Sequence, residues 1–169
     1  VILPIVTVPD PILRKKSKPV EHVDDDLRRL MDDMLETMYE APGIGLAAIQ
    51  VGIDRRVLLI DLQTDKVKAP QFFVNPEIVW ESEELRVYNE GCLSVPEQYV
   101  EIERPNRIRA RWLDYYGKSC EAEMEGLMAT CLQHEIDHLN GVLLVDYLSR
   151  LKRNMIIRRL KKAKNGVRL

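Results

Sequence analysis

The stretch Gln133-His134-Glu135-Ile136-Asp137-His138 constrains what this chain can fold into more than any other part of its 169 residues. On an α-helix, side chains four apart share a face, so the imidazoles of His134 and His138 project side by side. Two nitrogens so placed can bond one metal ion at ~2.0–2.1 Å. Glu135 comes one residue after the first histidine. It flanks such an ion without ligating it, where a general base for a metal-activated water belongs. The alternative is a pair of surface histidines on a solvated helix. The whole chain has three histidines and two of them form this pair, which weighs against that alternative.

A hydrolytic metal site takes three protein ligands and keeps one position open. The third histidine of one metallopeptidase pattern would fall six residues after the second, where Leu144 stands. The downstream glutamate of another pattern is missing, because no Glu follows Glu135. The third ligand must come from upstream or be of another type, and cysteine is the obvious candidate. Cys131 shares the helix but lies seven residues from His138, about 10.5 Å of helical rise, so both cannot bond one ion. Cys131 reads instead as a wall of the site. Cys120 lies mid-strand and reads as a core thiol. Cys92 sits in Glu90-Gly91-Cys92-Leu93-Ser94, where Gly91 permits unusual backbone and close approach, and it remains as the third ligand. Three cysteines without framework spacing argue against structural disulfides.

Gly43-Ile44-Gly45-Leu46-Ala47-Ala48-Ile49-Gln50 is not a phosphate loop, since it lacks the Lys-Ser/Thr ending and the third glycine of a dinucleotide fingerprint. Its small residues point to a loop packed close to something. The Gln50 amide can donate to an oxyanion without adding charge, although a loop glutamine is more often a surface residue. On the expected helix, Leu127, Thr130 and Cys131 share the His134 face. With Ile44 they fit either a mostly apolar substrate pocket or ordinary core packing.

Around these segments the pattern is helix, many short strands, then helices. Asp24 to Ala41 has helical period, with acids in the first turn and Pro42-Gly43 as the stop. Val57–Leu62, Phe72–Val74, Ile78–Glu81 and Leu85–Tyr88 read as short strands, and Gln63–Pro70 as a polar connection. Tyr99–Glu103 and Ile108–Asp114 alternate, and Asp114-Tyr115-Tyr116-Gly117 turns the chain back into Ser119–Met124. Helical period returns over Glu125–Leu139, with Asn140-Gly141 as its cap. Leu148–Lys164 reads as a basic amphipathic helix. The expectation is an α+β fold, with short, mostly antiparallel strands around a central metal-binding helix. One domain over residues 1–169 fits the length, and the composition of 46% hydrophobic and 31% charged residues is that of a soluble globular protein. No apolar run approaches the ~20 residues of a membrane span, and no signal peptide opens the chain, so a cytoplasmic location is expected.

The three segments GIGLAAIQ (43–50), EGCLS (90–94) and QHEIDH (133–138), in that order, resemble the signature motifs of the peptide deformylase family in its bacterial form. Pro9-Asp10-Pro11-Ile12-Leu13-Arg14 adds to the likeness. The resemblance implies a metal-dependent hydrolase that removes the formyl group from the N-terminal formyl-methionine of nascent polypeptides and releases formate. It implies that Cys92, His134 and His138 hold one divalent metal per chain. Fe²⁺ is the family's usual metal, with Zn²⁺, Ni²⁺ or Co²⁺ able to replace it. By the same resemblance, metal-bound hydroxide attacks the formyl carbon with Glu135 as general acid and base. Gln50 and the Leu93 N–H stabilise the oxyanion, and Gly45 lies beside the substrate backbone. Tyr99 stands where some members carry a basic residue. Two rivals are a peptidase cutting internal amides and a closed zinc module binding RNA. The first lacks its downstream ligand, and the second lacks a convincing fourth.

The net charge of −2 hides an asymmetry. Residues 147–169 carry nine of the 25 basic residues and no acid, so that the C-terminal segment is +9 and the rest −11. Leu148, Leu151, Met155 and Ile156 offer an apolar stripe, while Lys152, Arg153, Arg158, Arg159, Lys161, Lys162 and Lys164 carry charge outward. Such a helix is either an ordinary solvated surface or a docking element for ribosomal RNA, the partner that the resemblance favours. A monomer with no membrane contact is expected.

Overall fold

The computed structural model describes residues 1–164, with the side chain of Lys164 outside that description. Helix α1 (Asp25–Glu40) starts where Asp24 caps it, accepting from the Leu27 N–H at 2.9 Å, a contact typically worth about 1 kcal/mol. Seven strands follow: β1 (Gly45–Ala47), β2 (Val57–Ile60), β3 (Gln71–Glu81), β4 (Leu85–Cys92), β5 (Val95–Pro105), β6 (Arg107–Leu113) and β7 (Ser119–Glu125). Helix α2 (Gly126–Leu139) and helix α3 (Arg150–Lys164) complete the order. Every strand pairing is antiparallel: one sheet runs β1-β2-β3-β6-β7, and a separate ribbon pairs β4 with β5. The expected α+β class holds.

Helices α1 and α2 cover opposite faces of the larger sheet. Successive strand residues point to opposite faces. Val57 and Leu59 accordingly pack with Leu27, Met31, Met34 and Met38 of α1, whereas Leu58 and Ile60 pack with Leu132, Ile136 and Leu139 of α2. All four residues of β2 are buried, which is why it reads as an unbroken apolar run. The ribbon carries a third element of core, Val100 and Ile102 against Leu144.

Three expectations change. Gly45–Ala47, read as loop, is an edge strand paired with Leu58–Ile60, and Ala48–Val51 follows as a 3-10 turn. The two short strands read around Asn75-Pro76 are one strand, β3, with register shifts where it pairs with β6. Pro76 cannot donate to a ladder, so it sits where the pairing is already irregular. In α3, Leu151 and Met155 face solvent, while Ile156, Ile157 and Leu160 pack with Val8, Leu13 and Val145. The apolar stripe therefore runs later on the helix than its first leucine suggests. No helix among the described residues is long and apolar enough to cross a membrane.

Candidate metal centre

Helix α2 runs through the middle of the protein, and from Ala129 to Leu139 every residue except Asp137 is buried. Its polar side chains must therefore find partners inside. Gln133 Nε2 donates to the carbonyls of Pro105 and Ala129. His134 Nδ1 lies 3.0 Å from Glu90 Oε1. Asp137 Oδ2 accepts from Arg104 at 2.9 Å and from the Tyr147 hydroxyl at 2.6 Å.

Cys92 reaches this helix from the end of β4. Along the ribbon Gly91 pairs with Tyr99, but Cys92 pairs with Val95, a register jump that ends the strand beside α2. The ligand atoms of Cys92, His134 and His138 all lie within 4.8 Å of one another, and Cys92 Sγ is 3.2 Å from His138 Nε2. One thiolate and two imidazoles suit zinc or a first-row transition metal. A histidine that could hold a metal through one nitrogen is normally oriented by a partner on the other, and Glu90 stands in that position at His134. Arg104 holds Glu90 through two hydrogen bonds of 2.8 and 3.0 Å, with both side chains only 6% exposed.

The electrostatics follow from burial and these neighbours. Burial opposes the charged form of His134, but Glu135, Cys92 and Glu90 outweigh it and hold its pKa well above the ordinary value. Burial, with His134 and Arg104 nearby, holds His138 well below its ordinary value, in the neutral form a metal needs. Burial pushes Glu135 up to about 7. Its Oε1 is buried without a hydrogen-bond partner among the described residues, and its Oε2 lies 3.9 Å from His134 Nε2.

A cavity of about 730 Å³ opens beside the ligand atoms. Ile44, Gly45, Leu127, Thr130 and Cys131 line it, as do Gln50, Leu93 and Glu135. Every residue read from the sequence as site or pocket lines this cavity except His138, which contacts the lining residue Cys92. Ile44 and Leu127 stand at the rim, 39% and 42% exposed, whereas Thr130 and Cys131 are buried. Gln50 is anchored by its carbonyl, which accepts from the Ala47 N–H at 2.9 Å. Its Nε2 is turned toward Ser94 Oγ at 3.0 Å and Cys92 Sγ at 3.6 Å. A Cβ on Gly45 would stand 2.6 Å from Glu135 Oε2, so only glycine leaves that carboxylate its place. Cys120 is not a core thiol. It is half-buried on the edge strand β7, its sulfur directed toward Lys118 and Asp114.

Sequence reasoning missed Arg104, Asp137, Ser94 and Tyr147. Arg104 had a signal: the period of β5 puts it on the inward face with Val100 and Ile102, where a lone arginine needs an acid.

The chain matches the family model described as polypeptide deformylase over residues 2–154. A peptide deformylase of Rhizorhabdus wittichii is 60% identical over 168 residues, covering 96% of this chain and 95% of the relative. One from Rhizobium meliloti is 58% identical over 163 residues, with 96% and 94% covered. Among solved structures, a peptide deformylase from Legionella pneumophila superposes with a TM-score of 0.90 at 48% identity, covering 98% of this chain and 96% of that one. That of Ehrlichia chaffeensis in complex with actinonin gives 0.92 at 46% identity, with 96% and 97% covered. With fold, motifs and helix-borne donor cluster all in agreement, the chain belongs to the peptide deformylase family, the metal-dependent enzymes that remove formyl groups from the N-termini of polypeptides.

Proposed function

We propose that deformylation takes place at the junction of the cavity and the donor cluster, with Cys92, His134 and His138 as the metal ligands. The observation that carries this reading is the convergence of three soft or borderline donors within 4.8 Å, next to a buried carboxylate. The fit is chemical as well as geometric, since His138 is held neutral and His134 is oriented by Glu90. Held by Cys92, His134 and His138, a divalent metal would supply Lewis-acid polarisation of the formyl carbonyl and would make water more acidic. Fe²⁺ is our assignment for the native metal, with Zn²⁺, Ni²⁺ and Co²⁺ as functional replacements.

The chain's own groups do the rest. The Glu135 carboxylate accepts the proton of the attacking water and returns it to the leaving amine, so the carboxylate is regenerated in each turnover. Its Oε1, which has no hydrogen-bond partner among the described residues, supports that role. Gln50 Nε2 and the Leu93 N–H stabilise the oxyanion that forms from the formyl oxygen. Ile44, Leu127, Thr130 and Cys131 receive the methionine side chain, and Gly45 lets the substrate backbone pass close to Glu135. Products are formate and a free N-terminus.

We further assign residues 1–169 to one catalytic domain, acting as a monomer in the cytoplasm on nascent chains. The exposed basic residues of α3 support docking at the ribosome. The direct test is metal analysis and turnover of a formyl-methionyl tripeptide by protein purified without oxygen. Cys92→Ala, His134→Ala and His138→Ala should each lose both metal and activity, while Cys120→Ala and Cys131→Ala keep the metal. Full metal content and activity in Cys92→Ala would sink the assignment.

A further inference from the structure

Gly43 and Ile44 form a wall of the cavity that no residue of α2 holds by a main-chain bond. The Ile44 carbonyl accepts from the Asp61 N–H at 2.8 Å, and the Gly43 carbonyl accepts from Gln63 Nε2 at 3.2 Å. Both donors lie in the segment that leaves β2. That segment is organised on the Asp61 carboxylate, which is 1% exposed. It accepts from the Tyr39 hydroxyl at the end of α1, from the Gln63 N–H at 2.9 Å and from the Ala69 N–H at 3.1 Å. A buried carboxylate with three donors fixes the chain on either side of it.

Gln63 has φ 53°, a left-handed conformation that a non-glycine residue keeps only where its surroundings over-determine it. Here its N–H is tied to Asp61 while its side chain crosses to Gly43. From the opposite side the wall is closed by Leu93, whose Cδ1 would lie 2.8 Å from a Cβ on Gly43. Gly43 and Ile44 are thus pinched between Leu93, which follows Cys92 at the end of β4, and the amide of Gln63.

We infer that Gln63, held by Asp61 and Tyr39, is a positioning residue for deformylation. It sets the Gly43–Ile44 wall against which the methionine side chain packs. The inference rests on reading the cavity as the methionine pocket. Gln63 touches neither the ligand cluster nor Glu135, so its contribution falls on substrate binding and side-chain selection and leaves the chemical step alone.

Two variants isolate the effect. Gln63→Met keeps length and volume and removes the donor, and Tyr39→Phe removes the hydroxyl that supports Asp61. Steady-state kinetics on formyl-Met and formyl-Ala tripeptides, with metal content measured on the same samples, give the readout. KM for the formyl-Met peptide should rise roughly three- to tenfold in Gln63→Met, with kcat within about twofold of wild type. The preference for formyl-Met over formyl-Ala should narrow by a similar factor, and metal content should not change. Tyr39→Phe should move the same two quantities in the same direction. Unchanged KM and selectivity in both variants, while wild type turns over normally, would overturn the inference. A loss confined to kcat would overturn it as well. If wild type does not discriminate formyl-Met from formyl-Ala, the pocket reading itself fails, and the inference with it.

Discussion

The guanidinium of Arg104 grips both oxygens of Glu90, Nε to Oε2 at 2.8 Å and Nη2 to Oε1 at 3.0 Å, and the same Oε1 faces His134 Nδ1. Arg104 also donates to Asp137, one residue before His138. One buried cation therefore braces the carboxylate behind one proposed ligand and the helix turn that carries the other.

Arg104→Lys should show how much that bracing matters. An ammonium keeps the charge but cannot reproduce the two-pronged grip on Glu90. Metal affinity, measured by competition with a chelator, should fall by about 10–100-fold, the usual effect of losing an outer partner of a metal ligand. Arg104→Ala should also cost about 3–5 kcal/mol of stability, because it strands a buried Glu90 charge. Wild-type affinity in both variants would mean that Glu90 holds His134 without help.

Gly45→Ala tests the close approach of backbone to the Glu135 carboxylate, the proposed base. The added methyl would overlap Glu135 Oε2, the carboxylate must move, and a misplacement of about 1 Å can cost on the order of 10²-fold in rate. Metal content should be retained, because Gly45 is not among the donors. A kcat within a factor of about three of wild type would show that Glu135 has room to adjust.

Glu135 should leave a signature in the stability of the metal-free protein. Its folded pKa of about 7 lies above the ordinary 4.5. A raised folded pKa contributes stability that is fully present below the unfolded value and is lost as pH rises through the folded one. Metal-free wild type should therefore lose stability between about pH 4.5 and 7 relative to Glu135→Gln, by roughly 2–4 kcal/mol. Denaturant titrations of both proteins at several pH values check this, and parallel pH profiles would refute it. The same substitution should lower turnover of the metal-loaded enzyme by about 10²–10⁴-fold.

What could be seen in the sequence divides by distance along the chain. His134, Glu135 and His138 were legible because helical period alone places them together. Cys92 followed by elimination among three thiols. The period of β5 turns Arg104 inward, but its pairing with Glu90 and Asp137 was not legible, since the partners come from β4 and α2 and meet only once the ribbon packs on the helix. β1 was hidden for a related reason. Gly45-Leu46-Ala47 has no β-branched residue, and its strand character comes from the ladder with β2. The stripe of α3 was misplaced because Leu151 and Met155 satisfy the helical period as well as Ile157 and Leu160 do. Only the position of Val8, Leu13 and Val145 decides which set is covered.

That placement also decides how ribosome docking should be tested. Leu160 is buried against the body, so cutting α3 away would expose Leu13 and Val145 and confuse docking with folding. Charge reversal avoids this, because Lys152, Arg159 and Lys162 are exposed and carry none of that packing. If α3 docks by phosphate contacts, each lost contact removes about 0.9 from the slope of log affinity against log salt. The triple variant Lys152→Glu, Arg159→Glu, Lys162→Glu should therefore bind ribosomes more weakly and with a visibly shallower salt dependence. Turnover of a free formyl-methionyl tripeptide should stay at the wild-type level, since none of the three residues lines the cavity. Co-sedimentation with ribosomes across a salt series, beside the tripeptide assay, separates the two effects. An unchanged salt slope would mean that these charges are ordinary solvated surface and that docking, if it occurs, uses another face.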